Sequence, residues 1–421
     1  MIPIAAVSRI RFILWAAFAA VILLATLMAG AANASPDPTG EPGQAADCDP
    51  DVVQPDGAIY RFCLPAGWDG DALLVYAHGY VWFNQPLAIP EDHICFGEPG
   101  SQTCINDVVT GLGMAFAVTS YPTNGLAVLP AVDDMVNLVT VFSDTYGAPG
   151  TVLITGVSEG GLVTALATER HPEVFDGGLA ACGPIGSWVG QINYFGDFRI
   201  LLDYFFPGLI PTDAITISAG LIDDWENNDY FANVAEPLIF DPANAISLTQ
   251  LLVTSHLPHD PADGESVRKA VSDAMGYNIM ATNDAMAKLG GNPFDNMDRV
   301  YSGSADDLAL NAAVSRFSAD PVALLSMEEY ETSGLLERPL VSLHTSLDQQ
   351  VPQWHEVLYQ QKVLTSHSWM WYVDQPVPVD NFGHCNFDPN LEVLPAFFSL
   401  VNLVADPPEP SLNYIPDIVL R

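Results

Sequence analysis

Short apolar runs without polar alternation recur along the chain, and this pattern predicts strands that are buried on both faces. The runs lie at 72–77, 114–119, 151–155 and 178–182, and later at 340–344 and 369–373. Apolar residues at helical spacing predict helices over 127–145 and 162–170 between these runs, and over 392–404 at the end. Strands that alternate with helices indicate an α/β fold with a mostly parallel sheet and helices on both of its faces.

The alternation stops at about residue 186 and resumes at Pro339. The intervening segment of 150 residues is mostly helical in its pattern and is too long to be a loop in a compact domain. We therefore predict a helical cap insertion at 187–336. It would divide an α/β core into a first part at 57–186 and a second part at 337–421.

The N-terminal 34 residues have the pattern of a secretory signal peptide. Arg9 and Arg11 precede an uncharged run from Phe12 to Met28, and small residues end in Ala32-Asn33-Ala34. This predicts cleavage after Ala34 and a secreted or periplasmic protein, with an uncleaved membrane anchor as the alternative. No other stretch is long and apolar enough to span a bilayer. Residues 35–56 are rich in Pro, Asp and Gly and are predicted to form a loose leader.

Composition excludes several classes of partner. The chain has 421 residues, of which 51 are acidic and 13 basic, for a formal charge of −38. Cleavage would remove Arg9 and Arg11, leaving 11 basic against 51 acidic residues and a charge of −40. Such a surface repels phosphate backbones and anionic lipid headgroups, so neither nucleic acid nor an anionic membrane surface is an expected partner. Lysine is scarce, which is compatible with function in high salt or simply with a very soluble exported protein.

The chain contains an even number of cysteines, all after the predicted cleavage site, and this predicts three disulfides in an exported protein. Six cysteines allow fifteen pairings, and free buried thiols remain the alternative. Nearness in sequence favours the pairs Cys48–Cys63 and Cys95–Cys104, which leaves Cys182 and Cys385. No cysteine or histidine cluster has the spacing of zinc ligands, so no metal is predicted.

The clearest chemical motif is a G-x-S-x-G sequence, Gly156-Val157-Ser158-Glu159-Gly160-Gly161, directly after a predicted strand and before a helix. Such a tight turn lifts the serine hydroxyl above the sheet, and the helix N-terminus behind it favours developing negative charge. Ser158 is therefore the predicted nucleophile. The alternative is a glycine-rich turn that carries a surface serine.

A serine hydroxyl needs a base and an orienting acid, and both are expected after the serine in the chain. Asp348 follows the strand predicted at 340–344, where ligand-binding loops of an α/β sheet gather. His384 lies between the last predicted strand and the last helix, so we predict Asp348 as the acid and His384 as the general base. Asp374 and Asp380 are the alternative acids.

The oxyanion of an acyl-transfer reaction needs two backbone N–H groups. One is expected from Glu159, directly after the nucleophile, and the other from Tyr80 in the loop His78-Gly79-Tyr80. His78 is interpreted as shaping this loop rather than reacting. His344 lies in a predicted strand and is interpreted as a histidine of the core whose hydrogen bonds are satisfied.

The order of these motifs, from the His78-Gly79-Tyr80 loop through the serine motif to Asp348 and His384, resembles the α/β-hydrolase fold superfamily. The resemblance covers residues 57–186 and 337–405. It implies an α/β-hydrolase fold, a mostly parallel sheet flanked by helices with a helical cap insertion. It also implies a serine nucleophile that forms an acyl-enzyme without a cofactor.

The step Gly383-His384-Cys385 also resembles the tannase and feruloyl esterase group, in which a cysteine beside the histidine is bonded to one beside the serine. Here Val157, not cysteine, precedes Ser158. If Cys385 pairs, its partner must lie elsewhere, and Cys182 at the end of a predicted strand suits this role. Such a bond would hold the loop of His384 against the sheet.

These features predict an exported serine hydrolase that cleaves carboxylic esters, small-molecule or polymeric. The alternative is an exported serine peptidase whose acidic residues around 223–236 receive a free amine. A binding module that has lost its chemistry is a third, less favoured class. Oligomeric state is left open. The cap is rich in aromatic residues, which either line an apolar substrate pocket or pack in the core of the cap: Trp188, Tyr194, Phe195, Phe198, Tyr204, Phe205, Phe206 and Trp225. No basic cluster appears in the cap, which disfavours highly anionic substrates.

Overall fold

The computed structural model describes residues 47–96, 102–378 and 380–408. The predicted signal peptide and the first part of the leader lie outside these ranges. Among the described residues, no helix combines the length and the apolar character that a membrane span requires.

Nine strands form one mixed sheet, and two short strands pair separately. In chain order the strands are β1 (Asp47–Cys48), β2 (Val52–Val53), β3 (Ile59–Leu64), β4 (Ala72–Ala77), β5 (Cys95–Phe96), β6 (Thr103–Cys104), β7 (Ala115–Thr119), β8 (Thr151–Val157), β9 (Gly177–Ala181), β10 (Leu340–Leu343) and β11 (Tyr372–Gln375). The spatial order of the sheet is β1-β3-β7-β4-β8-β9-β10-β11, with β2 also paired to β3. β3 is antiparallel to β7, and every pair from β7 to β11 is parallel.

The central strands are apolar throughout because both faces of the sheet are covered. In β4, Leu73 and Val75 contribute to one core cluster, whereas Leu74 and Tyr76 contribute to the cluster on the opposite face. This period of two follows from the pleat of a strand. The continuous apolar runs in the sequence therefore predicted the correct environment.

The helices include those that cover the sheet and a group between β9 and β10. In chain order they are α1 (Ile105–Gly111), α2 (Val128–Tyr146), α3 (Glu159–Arg170), α4 (Trp188–Phe205), α5 (Ala219–Asn227), α6 (Glu236–Ile239), α7 (Ala245–Ser255), α8 (Gly264–Leu289), α9 (Asp307–Ala313), α10 (Pro321–Glu328), α11 (Trp354–Thr365) and α12 (Leu394–Ala405). Helices α2 and α3 pack on one face of the sheet, and α1 and α12 on the other. Helices α4, α5, α7 and α8 share an apolar cluster of their own, which lies over the carboxyl ends of the strands.

Two local predictions were wrong. The leader is not loose throughout, because β1 and β2 pair with β3 and the register places Cys48 opposite Cys63, to which it is bonded. The last strand starts at Tyr372, not at residue 369. Residues Trp369–Trp371 form a 3-10 turn whose tryptophans pack against a cluster under the sheet, so their apolar character reflects side-chain packing rather than strand pairing.

Three features identify an α/β-hydrolase fold: the order of the strands, the antiparallel orientation of β3 at the second position of the sheet, and the parallel central strands with helices on both faces. The serine motif follows β8 and opens α3, Asp348 follows β10, and His384 follows β11. These are the positions at which this fold carries nucleophile, acid and base. The predicted fold is confirmed, whereas the domain boundaries proposed from sequence stay a prediction.

Candidate active site

Ser158 lies on a strained turn between β8 and α3, with φ 56° and ψ −123°. Glycines make the turn possible. A Cβ on Gly156 would lie 2.2 Å from the carbonyl oxygen of Gly160, and a Cβ on Gly160 would lie 2.1 Å from that of Ala77. Both distances are prohibitive, so the motif requires glycine at these positions for close packing of backbone against backbone. The strained turn places Ser158 in the wall of a cavity beneath the cap.

Asp348 and His384, the predicted acid and base, are brought together. The ring Nδ1 of His384 lies 2.7 Å from Oδ2 of Asp348. The other oxygen, Oδ1, accepts the backbone N–H groups of Gln350 and Val351, each at 2.9 Å. Asp348 is fully buried. Since a carboxylate can only accept, Nδ1 carries the proton, and Nε2 of a neutral His384 is left as the basic nitrogen.

The loop that carries His384 is held by two tethers. Hydrogen bonds connect it to the loop of Asp348: the N–H of Leu347 donates to the carbonyl of Asn381, and the side-chain hydroxyl of Thr345 donates to the carbonyl of Gly383. Gly383 has φ 116°, a conformation that favours glycine. The second tether is the disulfide between Cys182 and Cys385.

This disulfide connects the loop of His384 to the turn of Ser158 by a short path. The N–H of Ser158 donates to the carbonyl of Ala181 at 2.9 Å, and Ala181 directly precedes Cys182. Cys385 directly follows His384. Cys48–Cys63 and Cys95–Cys104, the two pairs that nearness in sequence favoured, are also bonded. The described chain has no free cysteine. Cys182, Cys385 and His384 form the only group of possible metal ligands among the described residues, but the two sulfurs are bonded to each other.

The loop after β4 lies directly over Ser158. A Cβ on Gly79 would be 3.2 Å from Cβ of Ser158. The ring of His78 stacks on Tyr121 at 3.9 Å and its Nδ1 donates to the carbonyl of Gly79 at 2.7 Å. Burial lowers the pKa of His78 to about 4, so the ring is neutral and serves to shape the loop. Gly79 thus lies against Ser158, and Tyr80 lines the same cavity. The role of the Tyr80 N–H in an oxyanion site stays a prediction.

The side chain of Glu159 is an acid that sequence reasoning did not consider. It is buried in the wall of the cavity, and its Oε1 accepts the N–H of Ala127 at 2.9 Å. Burial raises the pKa of Glu159 to about 8, opposed by that hydrogen bond and by the charge of Lys288. At neutral pH the carboxyl group beside the nucleophile is therefore mostly protonated.

Ser158 lines a small cavity with a volume of about 80 Å³. Apart from Ser158, Glu159, Gln191 and Gln350, its walls are apolar or aromatic. The apolar and aromatic lining residues are Tyr80, Leu126, Pro184, Trp188, Ile192, Phe195, Tyr277, Ala281, Ala285 and Val351. Of the eight cap aromatics singled out in the sequence, only Trp188 and Phe195 line it. The others pack within the cap or, in the case of Tyr194, bond the acid loop.

A second cavity of about 60 Å³ adjoins the first between α4 and α8. The two share five lining residues, Ile192, Phe195, Tyr277, Ala281 and Ala285. Phe195 and Tyr277 stack in parallel at 4.7 Å where the cavities meet. The site therefore offers apolar space well beyond the nucleophile.

The acidic residues around 223–236 do not line either cavity. Glu226 accepts a hydrogen bond from Asn84 at the surface, and Glu236 pairs with Arg268. No carboxylate from this segment therefore faces the site as an amine receptor would.

Side chains of α4 and α8 hold the loop of Asp348 through hydrogen bonds. Asp273 of α8 accepts hydrogen bonds from the side-chain amides of Gln349 and Gln350, at 2.7 and 2.8 Å. The hydroxyl of Tyr277 donates to the side chain of Gln350 at 3.1 Å, and that of Tyr194 to the carbonyl of Gln349 at 2.7 Å. These contacts join residues far apart in sequence, and no local pattern predicts them.

Comparison with known proteins finds only distant structural similarities. No family model matches the chain, and no curated protein matches it by sequence. Among solved structures it is similar to Porphyromonas gingivalis dipeptidyl peptidase 4, with a TM-score of 0.42 and 11% identity over 86% of this chain and 36% of the peptidase. It is also similar to feruloyl esterase B of Aspergillus oryzae, with a TM-score of 0.42 and 13% identity over 86% of this chain and 80% of the esterase.

A further esterase of Aspergillus oryzae has a TM-score of 0.43 and 14% identity, again over 86% of this chain and 80% of that one. The chain thus spans little more than a third of the length of the peptidase. Similarities of this size transfer neither a substrate nor a residue role. Function has to be argued from the site itself.

Proposed function

We propose that this protein is an exported serine hydrolase that cleaves carboxylic esters. The observation that carries the proposal is the bond of 2.7 Å between His384 and a buried Asp348, on loops tied to a strained serine turn. A serine hydroxyl becomes a nucleophile when a positioned histidine accepts its proton. The signal-like N-terminus and the three disulfides support export.

In this mechanism Ser158 attacks the ester carbonyl while Nε2 of His384 takes its proton. Asp348 holds the ring in the required tautomer and stabilises the imidazolium that forms. The oxyanion is bound by the N–H groups of Tyr80 and Glu159. His384 then gives its proton to the leaving alcohol. Water, activated by the same ring, hydrolyses the acyl-enzyme and releases the acid.

The proposed substrate is an ester with an uncharged apolar or aromatic group on the side that enters the cavity. Aromatic and aliphatic side chains dominate the walls, and Glu159 is mostly protonated at neutral pH. An anionic group would lose its hydration there without gaining a cationic partner. The second cavity adjoins the first and shares five of its lining residues, so a longer apolar group would extend toward it.

The test uses purified residues 35–421, assayed against p-nitrophenyl esters of graded chain length and against p-nitroanilide peptides. We expect ester turnover that falls at least a thousandfold in Ser158→Ala and in His384→Ala. Asp348→Asn should lower it strongly, whereas the matched Asp374→Asn should retain most of it. Ester turnover that survives in Ser158→Ala would refute the proposal. Anilide turnover without ester preference would instead establish the peptidase.

A further inference from the structure

A second histidine contacts the proposed catalytic aspartate. His344 directly follows β10 and is 1% exposed. Its Nε2 lies 3.6 Å from Oδ2 of Asp348, the same oxygen that bonds His384. The sequence indicated only a core residue at this position, but the aspartate is approached by two imidazole rings.

The hydrogen bonds of His344 determine its charge. Nε2 lies 2.6 Å from the carbonyl oxygen of Val351, which can only accept, so Nε2 carries a proton. Nδ1 lies 2.9 Å from Oε1 of Glu356. The hydroxyls of Ser342 and Tyr372 both donate to the other oxygen of Glu356. We assign the proton between Nδ1 and Oε1 to the ring, because an imidazole is more basic than a carboxylate, and the ring is then an imidazolium paired with Glu356.

The charges around the ring agree with this pattern. Burial lowers the pKa of His344, but its hydrogen bond to Glu356 and the charges of Glu356 and Asp348 outweigh burial and raise the pKa to about 9. Asp374 on β11 adds a further acidic group nearby, and burial raises its own pKa to about 7. His355 on α11 is neutral, because burial lowers its pKa and its Nδ1 accepts the N–H of Gly186.

His344 also fixes the turn of the acid. It holds the carbonyl of Val351, and the N–H of the same residue donates to Oδ1 of Asp348 at 2.9 Å. One ring thus contacts Oδ2 directly and restrains the turn that supplies a donor to Oδ1. Few arrangements of the aspartate are compatible with both contacts.

We propose that His344 is a positioning residue that, as a buried imidazolium, places a positive charge beside Asp348 and orients this aspartate toward His384. The inference rests on the proposed function, because it assigns a purpose to the charge of Asp348. The positive charge beside Asp348 partly offsets the negative charge that the aspartate presents to His384, and the contact with Val351 restrains the turn that carries the aspartate.

The first part of the test measures the charge directly and needs no substrate. Long-range ¹H–¹⁵N NMR of the intact protein should show one histidine with two protonated nitrogens from pH 6 to 8. That signal should be absent in His344→Gln. In Glu356→Gln it should titrate within this range, which assigns it even if the first variant does not fold. A wild-type protein in which no buried histidine stays doubly protonated overturns the proposal.

The second part measures the effect on the base. The rate at which a fluorophosphonate labels Ser158 should fall on the acidic side of its pH profile. In folded His344→Gln this limb should move to higher pH, because Asp348 then lacks the positive charge beside it. The exposed His367→Gln is the control and should leave the limb in place. An unmoved limb in folded His344→Gln also overturns the proposal.

The two readouts separate the inference from the proposed function. If the intact protein hydrolyses no ester but is labelled, the ester proposal fails while the pH limb still tests His344. If it is not labelled at all, the proposed function fails, and the inference fails with it as a statement about catalysis. A doubly protonated His344 would then be only a structural charge.

Discussion

Replacing Glu159 with glutamine tests whether the acid beside the nucleophile is protonated in the native protein. The carboxyl group is buried in the cavity wall and accepts the N–H of Ala127 through Oε1. Glutamine keeps that acceptor and the shape of the side chain, and it cannot ionise. The variant therefore resembles the protonated form at every pH.

The expected effect follows from the pKa, which burial raises from 4.5 to about 8. Between these values the native protein holds a proton that the unfolded chain has lost. The free energy of unfolding therefore falls as pH rises through this window, and the loss is complete above the folded pKa. Its full size is roughly 5 kcal/mol, since each unit of pKa corresponds to about 1.4 kcal/mol. The Glu159→Gln variant avoids this loss because its amide does not titrate.

The assay is urea unfolding of the wild type and Glu159→Gln at pH 5, 7 and 9. The stability difference in favour of the variant should grow by several kcal/mol from pH 5 to pH 9. Ester turnover should also decline above about pH 8 in the wild type only, because an ionised carboxylate opposes the nearby oxyanion. Glu328→Gln, at an exposed position, serves as the control. Parallel pH profiles for wild type and Glu159→Gln would refute the reasoning.

Three further predictions concern the elements around the site. Replacing both cysteines of Cys182–Cys385 with serine should lower kcat/KM at least tenfold, because the loop of His384 loses its covalent tether. The same change at Cys48–Cys63 is the control and should lower the stability of the fold but not kcat/KM. Asp273→Ala should lower kcat by about three- to tenfold in steady-state kinetics, because the loop of Asp348 loses two hydrogen bonds to Asp273. Lys269→Gln removes only a surface partner of Asp273 and should leave kcat unchanged. Ala281→Trp should abolish turnover of long p-nitrophenyl esters and spare the acetate, because Ala281 lies where the two cavities meet; unchanged chain-length preference would contradict a continuous site.

The elements most accessible from sequence are those whose cause is local. The apolar runs of the central strands predicted both their positions and their burial, because a sheet covered on both faces leaves no polar alternation. The glycines around Ser158 marked a turn in which backbone packs on backbone. The positions of Asp348 and His384 followed from chain order and from the convergence of loops at one edge of a parallel sheet.

The elements that sequence did not predict depend on contacts between distant residues. The charge of His344 comes from Glu356 and Val351, which no periodic pattern associates with it. Asp273 accepts two hydrogen bonds from Gln349 and Gln350, which lie 76 and 77 residues further along the chain. The leader strands were missed because two-residue strands carry no periodic signal and are held by a disulfide and a neighbouring strand.

The central claim is that Ser158 is a nucleophile activated by His384 and Asp348. The most direct measurement is labelling by a fluorophosphonate, in which the serine oxygen bonds to phosphorus and fluoride leaves, followed by intact mass and peptide mapping. We expect one adduct per chain, on Ser158, with labelling slowed at least a hundredfold in His384→Ala and strongly in Asp348→Asn. An adduct on another residue, or equal labelling of Ser158 in wild type and His384→Ala, would contradict the account.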